Sequence, residues 1–121
     1  MIKNFSCINI SSKDPKRLVS FYKDILNIPI LYKDVSEYDG VGFGFIKNAP
    51  AFCIWDENKW GDTRSSQGSV CLVFHCDDHD KTYDELKTKG VSLEPPNAVS
   101  WDATRKELLF KDPDGNTVYI L

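Results

Sequence analysis

The sequence predicts an α+β fold made of two tandem modules, each a strand, a capped helix and three further strands. Three observations carry this. Alternating strand-like runs begin near Phe5 and Ser69, and each leads into an Asp that opens a helix, Asp14 before Pro15 and Asp77-Asp78 before His79. Laying Cys7 on Cys71 puts Asp14 on Asp78, Val19 on Tyr83 and Tyr22 on Leu86, an internal repeat of about 64 residues, and a repeat of this kind bears on architecture before any local detail. The chain then closes on two apolar runs, 108–110 and 117–121, flanking Asp112-Pro113-Asp114-Gly115-Asn116. Pro113 presets φ for a turn, Gly115 takes φ > 0 at no steric cost, and the Asp and Asn side chains bond nearby backbone, so the closing element is a hairpin.

In chain order, residues 5–11 alternate as a strand, with Phe5, Cys7, Asn9 and Ser11 on one face and Ser6, Ile8 and Ile10 on the other. The apolar face of Ile8 and Ile10 is expected to pack on the following helix. That helix takes Asp14 as N-cap and Pro15 as its first residue. Leu18, Phe21, Tyr22 and Ile25 form its apolar stripe, and Pro29 stops it near Asn27. Strands are expected at 29–35, 41–46 and 51–55. Gly42 and Gly44 alternate with Phe43 and Phe45, which leaves one face of the middle strand bare and open to close approach. The polar run 56–68 reads as a linker. In the second half, 69–76 is a strand with Cys71, Val73 and His75 on one face and Leu72, Phe74 and Cys76 on the other. A helix carrying Tyr83 and Leu86 ends at Gly90, and extended segments are expected at 91–93, 104–111 and 116–121. The domain reading is one domain over 1–121: module one about 1–56, linker 57–68, module two about 69–121.

Bulk properties exclude several classes. A net charge of −3 and no Lys/Arg stripe give no footprint for nucleic acid. No run approaches the apolar length of a membrane span, and the opening residues lack a signal-peptide pattern. The expected location is the cytoplasm, where Cys7, Cys53, Cys71 and Cys76 stay reduced and behave as small buried hydrophobes.

Asp14 with Phe21, Tyr22 and Leu26, then Asp77-Asp78 with Leu86 and Gly90, and finally Phe110-Lys111-Asp112-Pro113-Asp114-Gly115-Asn116, together resemble the vicinal oxygen chelate superfamily. That superfamily groups glyoxalase I, bleomycin-resistance proteins, fosfomycin-resistance enzymes and extradiol dioxygenases. The resemblance covers essentially the whole chain. It implies paired βαβββ modules in a half-open barrel, commonly as a homodimer. It implies little about activity, because one scaffold hosts isomerisation, ring cleavage, thiol transfer and drug sequestration.

Metal-using members bring His and Glu from four strands to one divalent ion. The resemblance places those four positions at Cys7, Cys53, Cys71 and Tyr119, so the usual ligands are absent. Glyoxalase or dioxygenase chemistry needs a Lewis-acidic ion with open positions, and neither His75 nor His79 restores one. Two readings of the replacements stand side by side. A metal-free member fills vacated ligand positions with small buried residues; alternatively, three thiolates and a tyrosine hold zinc or another thiophilic divalent metal. A reactive Cys71 would need His75 beside it, four residues and roughly 13 Å along an extended strand.

Trp55, Trp60 and Trp101 are accompanied by Asp56, Glu57, Asp62 and Asp102. Aromatic faces beside carboxylates suit flat or cationic ligands, which resembles the groove of bleomycin-resistance proteins; core packing or a dimer interface are the alternatives for these rings. Lys106 and Glu107 are also candidates to project a charge inward. The expected function is metal-independent binding of a small aromatic molecule, for sequestration or sensing, with no cofactor. The expected site is Trp55, Trp60, Trp101, Cys7, Asn9, Cys53, Cys71, His75 and Tyr119. The alternatives are a glyoxalase-like lyase or dioxygenase with a thiolate metal site, and a ligand-free dimerisation module.

Overall fold

The computed structural model describes residues 1, 3, 5–61, 68–99 and 102–121. It resolves into two compact units, Met1–Gln67 and Gly68–Leu121, and each carries one four-stranded sheet.

In the first unit β1 (Cys7–Ser12) leads to α1 (Pro15–Ser20), which runs on as a π-helical segment, Phe21–Ile25. Strands β2 (Ile30–Lys33), β3 (Val41–Phe43) and β4 (Ala51–Asp56) follow, then a single turn of helix, α2 (Glu57–Trp60). The sheet order is β1-β4-β3-β2. The β1–β4 pair is parallel, as the intervening crossover requires, and the other pairs are antiparallel. Asp14 caps α1 by accepting from the Arg17 backbone N–H at 3.2 Å. Pro15 occupies the first turn, where its missing N–H costs nothing. The helical segment ends at Ile25 with Leu26 as C-cap, and Asn27 follows with a φ of 54°, the left-handed conformation Asn tolerates.

One face of this sheet buries against α1 and the π-helical segment. Ile10, Val41, Phe43, Phe52 and Ile54 meet Leu18, Val19, Phe21 and Tyr22, all buried. Tyr22 sits edge-on to Phe52 at 5.0 Å, and Phe43 stacks on Phe52 at 5.3 Å. Aromatic clusters of this kind contribute beyond their buried area.

The second unit repeats the arrangement. Strand β5 (Cys71–Phe74) precedes α3 (His79–Thr88), then β6 (Asn97–Val99), β7 (Asp102–Lys111) and β8 (Thr117–Ile120). The order is β5-β8-β7-β6, again with the first and last strands parallel. Asp78 caps α3 through the Lys81 N–H at 3.0 Å, and Gly90 follows the helix with φ 86°. Leu72, Leu86, Leu108, Phe110, Val118 and Ile120 make the core.

Several expectations change. Strand β3 stops at Phe43, so Phe45 and Ile46 lie outside it and are exposed. Ile8, expected under the helix, is 40% exposed, while Ile10 on the same face is fully buried. The second strand of module two is 97–99 and not 91–93. The stretch read as linker begins with α2, because Asp56 accepts the Asn58 backbone N–H at 3.0 Å and caps a helical turn. Of the four cysteines only Cys53 is buried; Cys71 is exposed and Cys7 and Cys76 are intermediate.

Candidate functional site

The face of the first sheet away from its helix carries Cys7 and Asn9 from β1 and Ala51, Cys53 and Trp55 from β4. Parallel register sets Cys7 beside Ala51, Asn9 beside Cys53 and Ser11 beside Trp55. Gly42 of β3 lies next to Cys53 and opposite Tyr32 of β2. A Cβ at Gly42 would fall 2.3 Å from the Tyr32 ring, so the ring crosses the bare backbone and reaches the Cys53 sulfur at 2.6 Å. The β2–β3 register shifts between Ile30 and Tyr32, and this bulge turns Leu31 to the same face, where it covers Gly44 with Cδ1 2.7 Å from that position's Cβ. Trp55 likewise lies over Gly40, 3.1 Å from its Cβ position. The bare face of Gly42 and Gly44 is thus the face opposite the helix, and the chain's own side chains occupy it.

Polar groups on this face are knitted together. The Trp55 indole N–H donates to Asn9 Oδ1 at 2.9 Å, and the Cys7 thiol donates to the same oxygen at 3.7 Å. Burial pushes the Cys53 thiol up to about 11; the Tyr32 hydrogen bond opposes that shift, and Cys7 and Asp34 reinforce it. Burial, then the bond to Cys53, holds the Tyr32 phenol above its ordinary range. Both groups are therefore neutral at physiological pH.

Trp60 packs edge-on to Trp55 at 6.1 Å. Its indole N–H is shared between the two carboxylate oxygens of buried Asp39, at 3.1 and 3.0 Å. Asp39 also accepts the Asp56 backbone N–H at 2.9 Å, which ties the loop before β3 to the start of α2. The Lys59 ammonium lies 4.9 Å from the Trp60 ring centroid. The carboxylate that engages Trp60 is thus Asp39, from a different part of the chain than the acidic neighbours in sequence, and Asp56 is committed to capping.

At the other end of the face is a cavity of about 320 Å³ whose walls include Phe5, Leu31, Tyr32 and Ala51.

In the second unit the face away from α3 carries Cys71 and Val73 of β5, Thr117 and Tyr119 of β8, and Glu107 and Leu109 of β7. Tyr119 donates its hydroxyl hydrogen bond to the Glu107 carboxylate. Val73 and Leu109 flank Tyr119 and are 56% and 51% exposed. His75 lies just beyond β5, exposed, with Nδ1 3.3 Å from the Leu121 carbonyl oxygen. His79, in the first turn of α3, is half-buried. Lys106 points to the helix side and pairs with Asp80 at 3.1 Å, which leaves Glu107 as the charge on the open face. Trp101 and Asp62 lie outside the described residues, as does the side chain of Asp102.

The four candidate metal positions thus divide into Cys7 with Cys53 and Cys71 with Tyr119. Among the described residues, no three His, Cys, Asp or Glu side chains cluster to hold an ion. A thiol must lose its proton to bind metal, and the surroundings of Cys53 oppose that loss; Tyr119 is already engaged by Glu107. Tyr32 and Asp39 are the site residues that sequence patterns missed. The available signal for Tyr32 was Gly42, a bare position on a strand that needs a neighbour to cover it.

The family model for the Glyoxalase/Bleomycin resistance protein/Dioxygenase superfamily matches residues 5–120. The chain belongs to this superfamily. The uncharacterized protein YraH of Bacillus subtilis is 33% identical over 121 residues, spanning 93% of each chain. Two solved structures share the superfamily fold. TnmS3, an antibiotic binding protein from Streptomyces sp. CB03234, superposes with TM-score 0.73 at 21% identity, over 98% of this chain and 94% of that one. Lactoylglutathione lyase from Agrobacterium tumefaciens superposes with TM-score 0.74 at 15% identity, over 99% and 93%. At these identities the likeness concerns fold, and a binding protein and an enzyme fit it equally. The α+β class and the two four-stranded sheets agree with the sequence expectation. Among the described residues no helix is long and apolar enough to cross a membrane.

Proposed function

We propose that this superfamily member binds a small aromatic molecule without a metal, for sequestration or sensing. The observation that carries the reading is the state of the first-unit ligand positions. Cys53 is a buried neutral thiol bonded to Tyr32, and Cys7 is bonded to Asn9, on a face that continues into an aromatic-walled cavity. Side chains locked into such a network favour ligand binding over metal capture, since thiolate coordination would have to break it. The size of the cavity falls at the lower end for small-molecule sites. TnmS3, an antibiotic binding protein, shares this fold, which supports a ligand-binding reading, and the Phe5 and Tyr32 rings in the cavity wall suit an aromatic ligand.

Native mass spectrometry of freshly purified protein tests this. The expected spectrum shows polypeptide free of divalent metal, with an organic adduct or with stoichiometric uptake of a planar aromatic compound. A stoichiometric thiophilic metal that survives purification would overturn the proposal and favour the lyase or dioxygenase alternative. The same spectrum reports whether the chain is a homodimer.

A further inference from the structure

We infer that the cavity beside Tyr32 takes an anionic aromatic ligand, a one- or two-ring carboxylate, with Lys47 as its counter-charge. The inference rests on the binding reading above and names the ligand class.

The walls are apolar or aromatic: Phe5, Leu31, the Tyr32 ring and Ala51. Among the described residues that line the cavity, Lys47 is the charged one and no carboxylate is found. Among the described residues Lys47 pairs with no carboxylate, so its ammonium is available to a ligand. The carboxylate felt by Tyr32 is Asp34. Its Cβ lies 3.0 Å from the Cβ position of Gly40, at the end of β3 opposite Gly44 and Leu31. In a chain of net charge −3, this cavity is a local positive site. The backbone turn that carries Lys47 is closed. The Ala49 N–H closes a turn on the Ile46 carbonyl at 3.2 Å, and Asn48 takes φ 66°, a conformation Asn adopts at little cost. An aromatic ring seated against Leu31 and Tyr32 would bury apolar area while its carboxylate meets the ammonium at the rim. A cationic or neutral isostere gains only the apolar part.

Titration calorimetry of the full chain with naphthoate, naphthamide and naphthylmethylamine tests the assignment. The expected order is naphthoate tightest, by about fivefold over naphthamide, with the amine weakest, since a partly exposed ion pair contributes modestly. The naphthoate preference should shrink as salt rises. Lys47→Met, on an exposed turn, should abolish the preference, bringing naphthoate and naphthamide to equal affinity. Ala49→Phe, which fills the cavity, should weaken all three. Equal binding of carboxylate and carboxamide to the unmodified chain, or a preference that survives Lys47→Met, overturns the anionic assignment and leaves aromatic binding standing. Absence of binding by all three also overturns it, while the adduct seen by native mass spectrometry decides the binding reading separately.

Discussion

Cys53 shows how one residue's surroundings set its chemistry. It is buried at the centre of β4, next to Gly42 and within 2.6 Å of the Tyr32 hydroxyl. Its thiol ordinarily titrates near 9 and is raised to about 11 in the folded chain. The folded state therefore holds this proton over a pH range in which the unfolded chain releases it. The stabilisation is complete below about pH 9 and is lost as pH rises toward 11. Tyr32, also raised, extends the loss further. Denaturant unfolding from pH 8 to 11 should show stability falling more steeply for the unmodified chain than for Cys53→Ser, and equal slopes would contradict the assignment. In the same samples a thiol reagent at pH 8 should modify exposed Cys71 first and Cys53 last.

Among the elements, the closing hairpin has the clearest hydrogen-bond wiring. Asp112 accepts from the backbone N–H groups of Asp114 and Asn116, both at 2.9 Å, and from Asn116 Nδ2 at 2.8 Å. Gly115, at φ 86°, lets its own N–H reach the Asp112 carbonyl at 3.0 Å. Asn116 then accepts the Val70 N–H at 3.1 Å, which joins the turn to the lead-in of β5. Asp112, Asp114 and Asn116 are buried, so deleting the Asp112 acceptor leaves donors there without water. Asp112→Ala should cost about 3 kcal/mol, seen in urea unfolding, with faster amide exchange along β8. A loss below about 0.5 kcal/mol would mean the turn contributes only its backbone geometry. The hairpin was legible in advance because its chemistry is local, with every bond spanning four residues or fewer except the one to Val70. Strand β6 was not. Val91–Leu93 has the more apolar composition, but the pairing partner of β7 is Asn97–Val99, and pairing follows the register of the hairpin more than strand propensity.

At the level of the whole molecule, the two units share one plan: a parallel first-and-last pair, a helix capped by Asp, and an open sheet face. They differ in what that face carries. The first presents aromatic rings over glycines and a Cys–Tyr pair. The second presents Tyr119 with Glu107 between exposed Val73 and Leu109. If the four superfamily ligand positions held zinc, one equivalent would protect at least two thiols and raise the melting temperature by mass action. The expected result is that equimolar zinc changes neither the count of reactive thiols nor the melting temperature. Protection of two or more thiols would restore the thiolate-metal alternative.

The sequence by itself determined the α+β class, the doubled module and the superfamily. The doubling rests on the repeat of about 64 residues and the superfamily on the resemblance of the whole pattern. Both are marked by short-range signals: Asp14 and Asp78 as caps, Gly90 after α3, and the turn from Asp112 to Asn116. Each acts within about one turn of chain, where residue type dictates backbone conformation. Tertiary structure alone decided which face of β3 is covered, that Tyr32 meets Cys53, that Asp39 grips Trp60, and that Glu107 answers Tyr119. These contacts join residues 12 to 21 positions apart. Asp39 meets Trp60 through the loop before β3 and the turn of α2. The Tyr32–Cys53 contact follows from the β2–β3 register and the bulge before Tyr32, and Glu107 with Tyr119 from the β7–β8 register. A shift of one residue in register would send those side chains to the opposite face.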